Sequence, residues 1–190
     1  MAQTRTVVDE AFSGDIVGLW DPGVLRIGDS LCQAQPMEFE GIPRFSPEHF
    51  VRVRLNDPLK RKQLKKGLEQ LSEEGAVQVF FDRQRLERDP ILGAVGVLQF
   101  EVIEHRLRSE YGVRIGFDRL PYRFARWIEG EGLDFDKLEL PGRQSCVVDV
   151  ESRPLVLFEN EYLLGRAMEK YKGVTFISAV QSGRSYRAAA

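Results

Sequence analysis

A dense group of basic side chains is the feature of this 190-residue sequence with the clearest potential for chemistry. Residues 51–66 hold seven cations against a single carboxylate, Asp57. Three of the seven occupy the first turn of a predicted helix, where free backbone N–H groups and the helix dipole favour an anion. The arrangement suits phosphate groups, such as those of a nucleic-acid backbone. The seven are Arg52, Arg54, Lys60, Arg61, Lys62, Lys65 and Lys66.

The charge order along this helix admits a second explanation. Glu73 and Glu74 close the helix, so each end carries the charge that the dipole disfavours, at about 0.3–1 kcal/mol for each misplaced charge. Lys65 and Lys66 can offset part of that cost by pairing with Glu69. The group is therefore either a solvated helix face or an anion-binding surface, which Arg52 and Arg54 on the preceding strand would extend.

Other chemistry has little support in the sequence. It contains neither a G-x-x-x-x-G-K-[ST] phosphate loop nor a G-x-G-x-x-G dinucleotide motif. Its two histidines, His49 and His105, have no metal-ligand spacing around them, and His105 is interpreted as a solvated or edge residue. Cys32 and Cys146 are interpreted as small buried apolar residues. We expect no catalytic residue, no metal site and no cofactor-binding residue in this chain.

The composition is that of a soluble globular protein, with 43% hydrophobic and 29% charged residues and a formal net charge of −2. That balance excludes a globally basic nucleic-acid binder, although it allows a local basic patch. The sequence has no apolar run near the ~18 residues of a membrane-spanning helix, and no signal-peptide pattern. We expect a cytoplasmic protein that does not enter a membrane.

The elements that position the basic group follow the order β-α-β-β-α-β over residues 49–117, the ferredoxin-like order. "HFVRVRL" alternates apolar and basic residues, as in a strand with one wet face. Asp57 and Pro58 open the next helix as its cap and first residue, and Leu64, Leu68 and Leu71 mark its buried stripe. Further strands are predicted at 76–81, 90–97 and 113–117, and a second helix at 98–111.

A second α/β part is predicted from residue 119 onward. It comprises a strand in 121–129, a short helix in 132–140, a hairpin of 145–150 with 154–159, a helix capped by Asn160 and a strand at 174–178. Helix, glycine and strand recur at Gly75, Gly112 and Gly173, which predicts a left-handed glycine after each helix. Gly93 and Gly96 are interpreted as marks of close strand packing.

The first residues of the chain predict a hairpin. Residues 12–31 contain two short apolar stretches joined by Pro22-Gly23, a dipeptide typical of turns. A two-stranded hairpin is marginal in water, so these strands need partners.

Several of these stretches together resemble bacterial peptide chain release factor 3, the class II termination GTPase. "FSGDIVGL" and "IGDSL" look like the closing strands of the β-barrel second domain of translational GTPases. The resemblance to release factor 3 is dense over residues 41–113 and thinner beyond 130. Elongation factor G shares the general scheme, but it would not be expected to combine "LNDPLK" with "QLSEEGAVQVF".

The resemblance implies an α+β chain divided into four parts. Residues 1–40 would be the last strands of an incomplete β-barrel, 41–118 a ferredoxin-like first α/β part, 119–183 a second α/β part and 184–190 a flexible tail. It also implies a C-terminal fragment without the GTP-binding domain, which would carry GTP or GDP with Mg²⁺.

The function implied by the resemblance is docking to the ribosome within a factor that promotes departure of class I release factors after peptide release. The expected partners are the ribosome, through rRNA and small-subunit proteins, class I release factors and the missing GTP-binding domain. The seven cations are the expected ribosome contacts, a hypothesis that rests on charge placement. Two alternatives stay open: the equivalent region of an elongation factor G-like GTPase, and a free-standing α+β module that binds RNA or protein.

Overall fold

The computed structural model of the chain describes residues 7–22, 24–25, 28–32, 35, 37, 43–82, 89–130, 138 and 145–181. These residues form a mixed α/β fold. The strands are β1 (Pro43–Phe45), β2 (His49–Leu55), β3 (Gln78–Asp82), β4 (Ile91–Ala94), β5 (Ile115–Leu120), β6 (Phe124–Glu129), β7 (Ser145–Asp149), β8 (Pro154–Phe158), β9 (Thr175–Ile177) and β10 (Ala179–Gln181). The helices are α1 (Arg61–Glu73), α2 (Leu98–Tyr111) and α3 (Glu161–Lys170), and a short 3-10 helix, Pro58–Lys60, precedes α1.

Eight of these strands form one antiparallel sheet in the order β5-β2-β4-β3-β7-β8-β6-β9, while β1 pairs with β10. The predicted β-α-β-β-α-β segment supplies the first four strands of that order. β3 then pairs with β7, where Phe81 lies opposite Val148. The two predicted α/β parts therefore share a single sheet.

Three buried clusters hold this sheet. α1 and α2 cover one face of its first half, where Val53 packs with Leu71 and Ile103. α3 covers the second half, through Val156 and Ala167 among others. The third cluster, called here the central cluster, contains only strand side chains and joins both halves: Phe50, Phe80, Ile91, Ala125, Trp127, Val147, Leu155 and Leu157. The two halves of the sheet thus pack against each other through the faces that the helices leave uncovered.

Two of the three predicted helix ends are confirmed. Gly75 and Gly112 have φ angles of 71° and 63°, in the left-handed region that glycine adopts without strain. The prediction for Gly173 is wrong, because its φ angle lies outside the left-handed region: α3 ends at Lys170 and Tyr171 is its C-cap. The Val174 N–H donates to the Tyr171 carbonyl at 3.0 Å, so a turn reverses the chain there without a left-handed glycine.

Both predicted N-cap residues accept a hydrogen bond at a helix start, but one of them caps a different helix from the one predicted. The Asn160 side chain accepts the Leu163 N–H at 2.9 Å and caps α3 as expected. Asp57 accepts the Leu59 N–H at 3.0 Å, but it caps the 3-10 helix rather than α1. α1 therefore begins at Arg61, three residues later than its predicted first residue.

The predicted hairpin in residues 12–31 is wrong for the part of this stretch that the structure describes. No described residue there lies in a strand, and Phe12, Ile16 and Trp20 are exposed. A strand needs a hydrogen-bonded neighbour, and none of the described strands pairs with this stretch. The bend near Pro22 is nevertheless present, because the Asp21 carboxylate accepts the backbone N–H of Val24 at 2.9 Å.

The cysteines, His105 and the glycines interpreted from the sequence are not all placed as expected. Cys32 is exposed, contrary to expectation, whereas Cys146 is half-buried against the α3 cluster. His105 is exposed as expected. Close packing at Gly93 is confirmed, since a Cβ atom there would lie 2.5 Å from Cγ of Pro47. The same interpretation of Gly96 is wrong, because Gly96 lies after the end of β4 and a Cβ there would meet nothing within 4 Å. The predicted tail, and all of the predicted short helix in 132–140 except residue 138, lie outside the described residues.

None of the helices described has the length and apolar character needed to cross a membrane. The described histidine, cysteine and carboxylate side chains form no group of three that could hold a metal ion.

Candidate functional site

α1 presents a basic face opposite its buried stripe. Leu64, Leu68 and Leu71 are buried as predicted, together with Gly67, and they pack against the sheet and α2. Lys62, Lys65 and Lys66 alternate with them at helical spacing and are exposed. The five cations at this end of the helix layer are called here the helix-side cations: Lys60, Arg61, Lys62, Lys65 and Lys66.

Arg52 and Arg54 do not join the helix-side cations. Val51 and Val53 of β2 pack into the cluster that contains α1 and α2. Because successive side chains of a strand point to opposite faces, Arg52 and Arg54 project from the other side of the sheet, where both are exposed. The structure therefore divides the predicted footprint into two surfaces.

Arg114 accompanies these two arginines, and the sequence reasoning missed it. Val113 and Ile115 are buried against the helices, so the exposed Arg114 between them projects to the opposite face. Its carbonyl accepts the Asn56 N–H at 3.3 Å, which places it beside the end of β2. The alternation of buried and exposed positions in "VRIGF" could have indicated that Arg114 is exposed. The sequence does not show, however, that this stretch pairs with β2. The sheet-side cations are thus Arg52, Arg54 and Arg114.

One of the sheet-side cations has a carboxylate partner. Arg54 Nη1 lies 3.3 Å from Oδ1 of Asp118 on the neighbouring strand, and both side chains are mostly exposed. The guanidinium lies over Gly116, where an added Cβ would come within 3.2 Å of it. An exposed pair of this kind contributes little to stability, so Asp118 can release Arg54 to an external anion at small cost.

The start of α1 has the electrostatics that the sequence predicted. Its first turn contains no acidic residue, and Lys60, at the N-cap position, makes no side-chain capping bond. Lys65 pairs with Glu69 at 3.8 Å, a long and exposed contact that is worth little. Cations therefore stand at the end of the helix where the dipole favours anions, and an external phosphate would relieve that conflict.

Polar contacts between α2 and the C-terminal end of α1 hold α1 in place. The Arg106 guanidinium bridges Glu74, the C-cap of α1, and Glu110 of α2, the latter at 2.7 Å. Hydrogen bonds from Arg106 hold the pKa of the Glu110 carboxyl below its ordinary value. The Tyr111 hydroxyl donates to Gln70 at 2.8 Å, and burial raises the pKa of Tyr111. These contacts hold α1 antiparallel to α2, and they thereby fix the direction in which the helix-side cations point.

An apolar groove of about 370 Å³ opens beside α1 and β3. Its walls include Leu64, Leu68 and Phe81. Its rim carries both signs of charge: Arg61, Lys65, Glu69 and Asp89. This mixed rim selects neither an anion nor a cation.

Comparison with known proteins decides the family. The family described as class II release factor RF3, C-terminal domain, matches residues 39–168. The chain belongs to the release factor 3 family. The matched range contains β1 to β8, α1, α2 and most of α3, and therefore both sets of cations.

Individual release factor 3 proteins agree with this result. Peptide chain release factor 3 of Symbiobacterium thermophilum is 52% identical over 183 residues, which cover 96% of this chain and 34% of that protein. The Nostoc punctiforme protein of the same name is 49% identical over 164 residues, covering 85% and 30%. The chain thus spans about a third of the length of these relatives. The resemblance to release factor 3 is confirmed.

Proposed function

We propose that this chain is the ribosome-docking region of a translation-termination GTPase, one that promotes departure of class I release factors after peptide release. Membership of the release factor 3 family supports a role in termination. The observation that carries the docking role is the set of helix-side cations, four of which are exposed on α1, a helix that α2 holds in a fixed direction, while the half-buried Lys60 lies at its N-cap. This assignment is preferred to an elongation factor G-like region or a free-standing module because the relatives compared are release factors.

Binding, rather than a chemical reaction, is the role of this chain in the proposal. GTP or GDP with Mg²⁺ would be bound by a separate GTP-binding domain, and the present chain would act in the cytoplasm as a body that contacts rRNA and small-subunit proteins. Its functional partners would include class I release factors on the ribosome and that GTP-binding domain. Residues 1–40 stay assigned, as a prediction, to the end of a β-barrel domain.

The two basic surfaces would make separate contacts. The helix-side cations suit an rRNA backbone, because lysine and arginine contacts to phosphates position a protein without reading sequence. The sheet-side cations project from the opposite face of β2 and would reach a different part of the ribosome or of the parent protein. The helix-side cations are the primary contact in this proposal, because only they coincide with a helix start.

We also propose that residues 49–120 form a ferredoxin-like unit. Support comes from the β-α-β-β-α-β order, from the strand order β5-β2-β4-β3, and from the packing of α1 and α2 on one face. Superposition of an experimental structure of this chain on ferredoxin-like domains tests the assignment. Equivalent strands that failed to superpose in this order would reject it.

Co-sedimentation of the chain with purified ribosomes over a salt series tests the docking proposal. The variant Lys60→Glu, Arg61→Glu, Lys62→Glu should bind more weakly and with a flatter dependence on salt. Each lost phosphate contact lowers the slope of log K against log salt by about 0.7–0.9, so three lost contacts lower it by about 2 or more.

A matched control separates a local contact from general charge. The variant Arg166→Glu, Lys170→Glu, Lys172→Glu makes the same charge change at exposed positions on and after α3. Its slope of log K against log salt should differ from that of the unaltered chain by no more than the contribution of one phosphate contact, about 0.7–0.9. Equal losses in both variants would reject the helix-side cations as the contact. No binding by the unaltered chain, even at low salt, would reject docking by this region.

A further inference from the structure

Large apolar side chains are exposed together where α2 begins. Val95 and Val97 are 58% and 46% exposed in the turn before the helix, and Leu98 and Val102 are 68% and 53% exposed on its first two turns. Leu98 and Val102 are one turn apart, so they lie on the same helix face. These four residues are called here the apolar patch. The core does not require them, because Phe100 and Ile103 fill the buried side of the helix.

A polar contact holds the apolar patch in a fixed shape. The Gln99 side-chain carbonyl accepts the backbone N–H groups of Val95 at 2.9 Å and Gly96 at 3.0 Å. Its amide nitrogen donates to the Ala76 carbonyl at 3.4 Å, which ties the turn to the end of α1. A surface ordered before binding loses little conformational entropy when a partner arrives. Rigid, contiguous apolar surface of this kind is typical of interaction sites.

Two carboxylates lie beside the apolar patch, whereas Arg106, one turn after Val102, is already bridged to Glu74 and Glu110. The Glu48 backbone N–H donates to the Ala94 carbonyl at 3.1 Å, beside Val95. Glu101 follows Leu98 by three residues and precedes Val102. Both carboxylates are exposed, and neither is paired with a cation within the described part of the chain. This end of the helix layer is thus opposite in charge to the end that carries the helix-side cations.

That charge selects among possible partners. An RNA backbone would be repelled by the carboxylates. A second copy of this chain, docked by two-fold symmetry, would place the same carboxylates against each other. A protein segment with apolar side chains flanked by lysine or arginine would bury the apolar patch and pair with both carboxylates.

We propose that the apolar patch, with Glu48 and Glu101, binds a basic, apolar segment of a ribosomal protein. The inference rests on the proposed docking function and adds to it a protein contact, separate from the phosphate contact of the helix-side cations. The two contacts lie at opposite ends of the α1–α2 layer, so they would fix the orientation of the domain as well as its position.

Carbodiimide cross-linking to purified ribosomes tests the proposal, because this reagent joins a carboxylate to a lysine amine and RNA contains no such amine. We expect peptide mapping to find Glu48 or Glu101 joined to one ribosomal protein. The variant Leu98→Gln, Val102→Gln keeps good helix formers at these positions and should lower the yield of that product at least fivefold. The control Tyr162→Gln, Met168→Gln changes two exposed side chains on α3 and should leave the yield unchanged.

A charge variant supplies a second readout that does not depend on the apolar substitutions. Glu48→Gln with Glu101→Gln should weaken co-sedimentation if the partner is a basic protein segment. Tighter co-sedimentation would indicate RNA and overturn the proposal. Cross-links confined to a second copy of the chain, or a yield equal in patch and control variants, would also overturn it. Failure of the unaltered chain to co-sediment would reject the docking function and this inference together, whereas normal binding without patch dependence would reject the inference alone.

Discussion

Asp149 is a carboxylate buried at the turn between β7 and β8, with only 5% of its surface exposed. It accepts the Trp127 indole N–H at 3.0 Å, the Arg153 Nε–H at 2.8 Å and the backbone N–H groups of Glu151 and Arg153 at 2.9 Å each. Asp149→Ala removes the acceptor for all four donors. We expect it to lower the free energy of unfolding by about 2–4 kcal/mol, measured by urea denaturation.

The control for this substitution is Glu151→Gln in the same turn. Glu151 contacts the same arginine at 3.2 Å, but both side chains keep about 30% of their surface in water. Such a pair contributes about 0.2–1 kcal/mol, so the variant should unfold close to the unaltered chain. Similar losses for the two variants would contradict the role assigned to the Asp149 hydrogen bonds.

At the scale of single residues, the sequence predicts the features that depend only on adjacent positions in the chain. The caps at Asn160 and Gly112 depend on a few adjacent residues, and both are confirmed. Asp149 could not be recognised in "SCVVDV", because its indole donor, Trp127, is 22 residues away in sequence. The opposite directions of Arg52 and the helix-side cations likewise depend on which face of β2 the helices cover.

At the scale of elements, the contact between α1 and α2 depends on the absence of a side chain at Gly67. A Cβ there would lie 2.7 Å from Cδ2 of Leu107 and 3.1 Å from the Tyr111 ring. Leu107 is fully buried, and Tyr111 is tied to Gln70, so neither can move freely. Gly67→Ala gains about 1 kcal/mol of helix propensity but incurs about 1–3 kcal/mol of overpacking. We expect a net loss of about 1 kcal/mol in urea denaturation.

Gly165 in α3 provides the opposite case. A Cβ at that position would meet nothing within 4 Å. Gly165→Ala should therefore gain the propensity term alone, about 0.5–1 kcal/mol. If both alanine variants were more stable than the unaltered chain, close packing between α1 and α2 would not explain Gly67.

The elements themselves were largely predictable, while their ends were less so. The α2 pattern predicts residues 98–111, the range observed, because its apolar period and Gly112 agree. α1 starts later than expected, because Asp57 caps the 3-10 helix Pro58–Lys60 that precedes it. The strands expected in residues 12–31 have no partner among the described residues, and apolar content alone does not form a strand.

At the scale of the whole molecule, the joining of the two halves was not predictable. The β-α-β-β-α-β order follows from local patterns, but pairing of β3 with β7 joins Asp82 to Val147 across 65 positions. The central cluster then packs Phe50 and Phe80 of the first half with Trp127 of the second. No periodicity in the sequence reports a contact of that separation, and the division at residue 118 marks no break in the sheet.

The shared sheet and central cluster predict that both halves unfold together. Most helical residues lie in α1 and α2, so far-ultraviolet circular dichroism reports mainly the first half. Trp127 lies in the second half, and replacing the exposed Trp20 by Phe leaves Trp127 as the sole tryptophan. In that Trp20→Phe variant, urea unfolding followed by both signals should give one midpoint, as expected for a two-state transition. A fluorescence transition at clearly lower urea than the dichroism transition would mean that β6 to β8 detach first, and that the central cluster does not couple the halves.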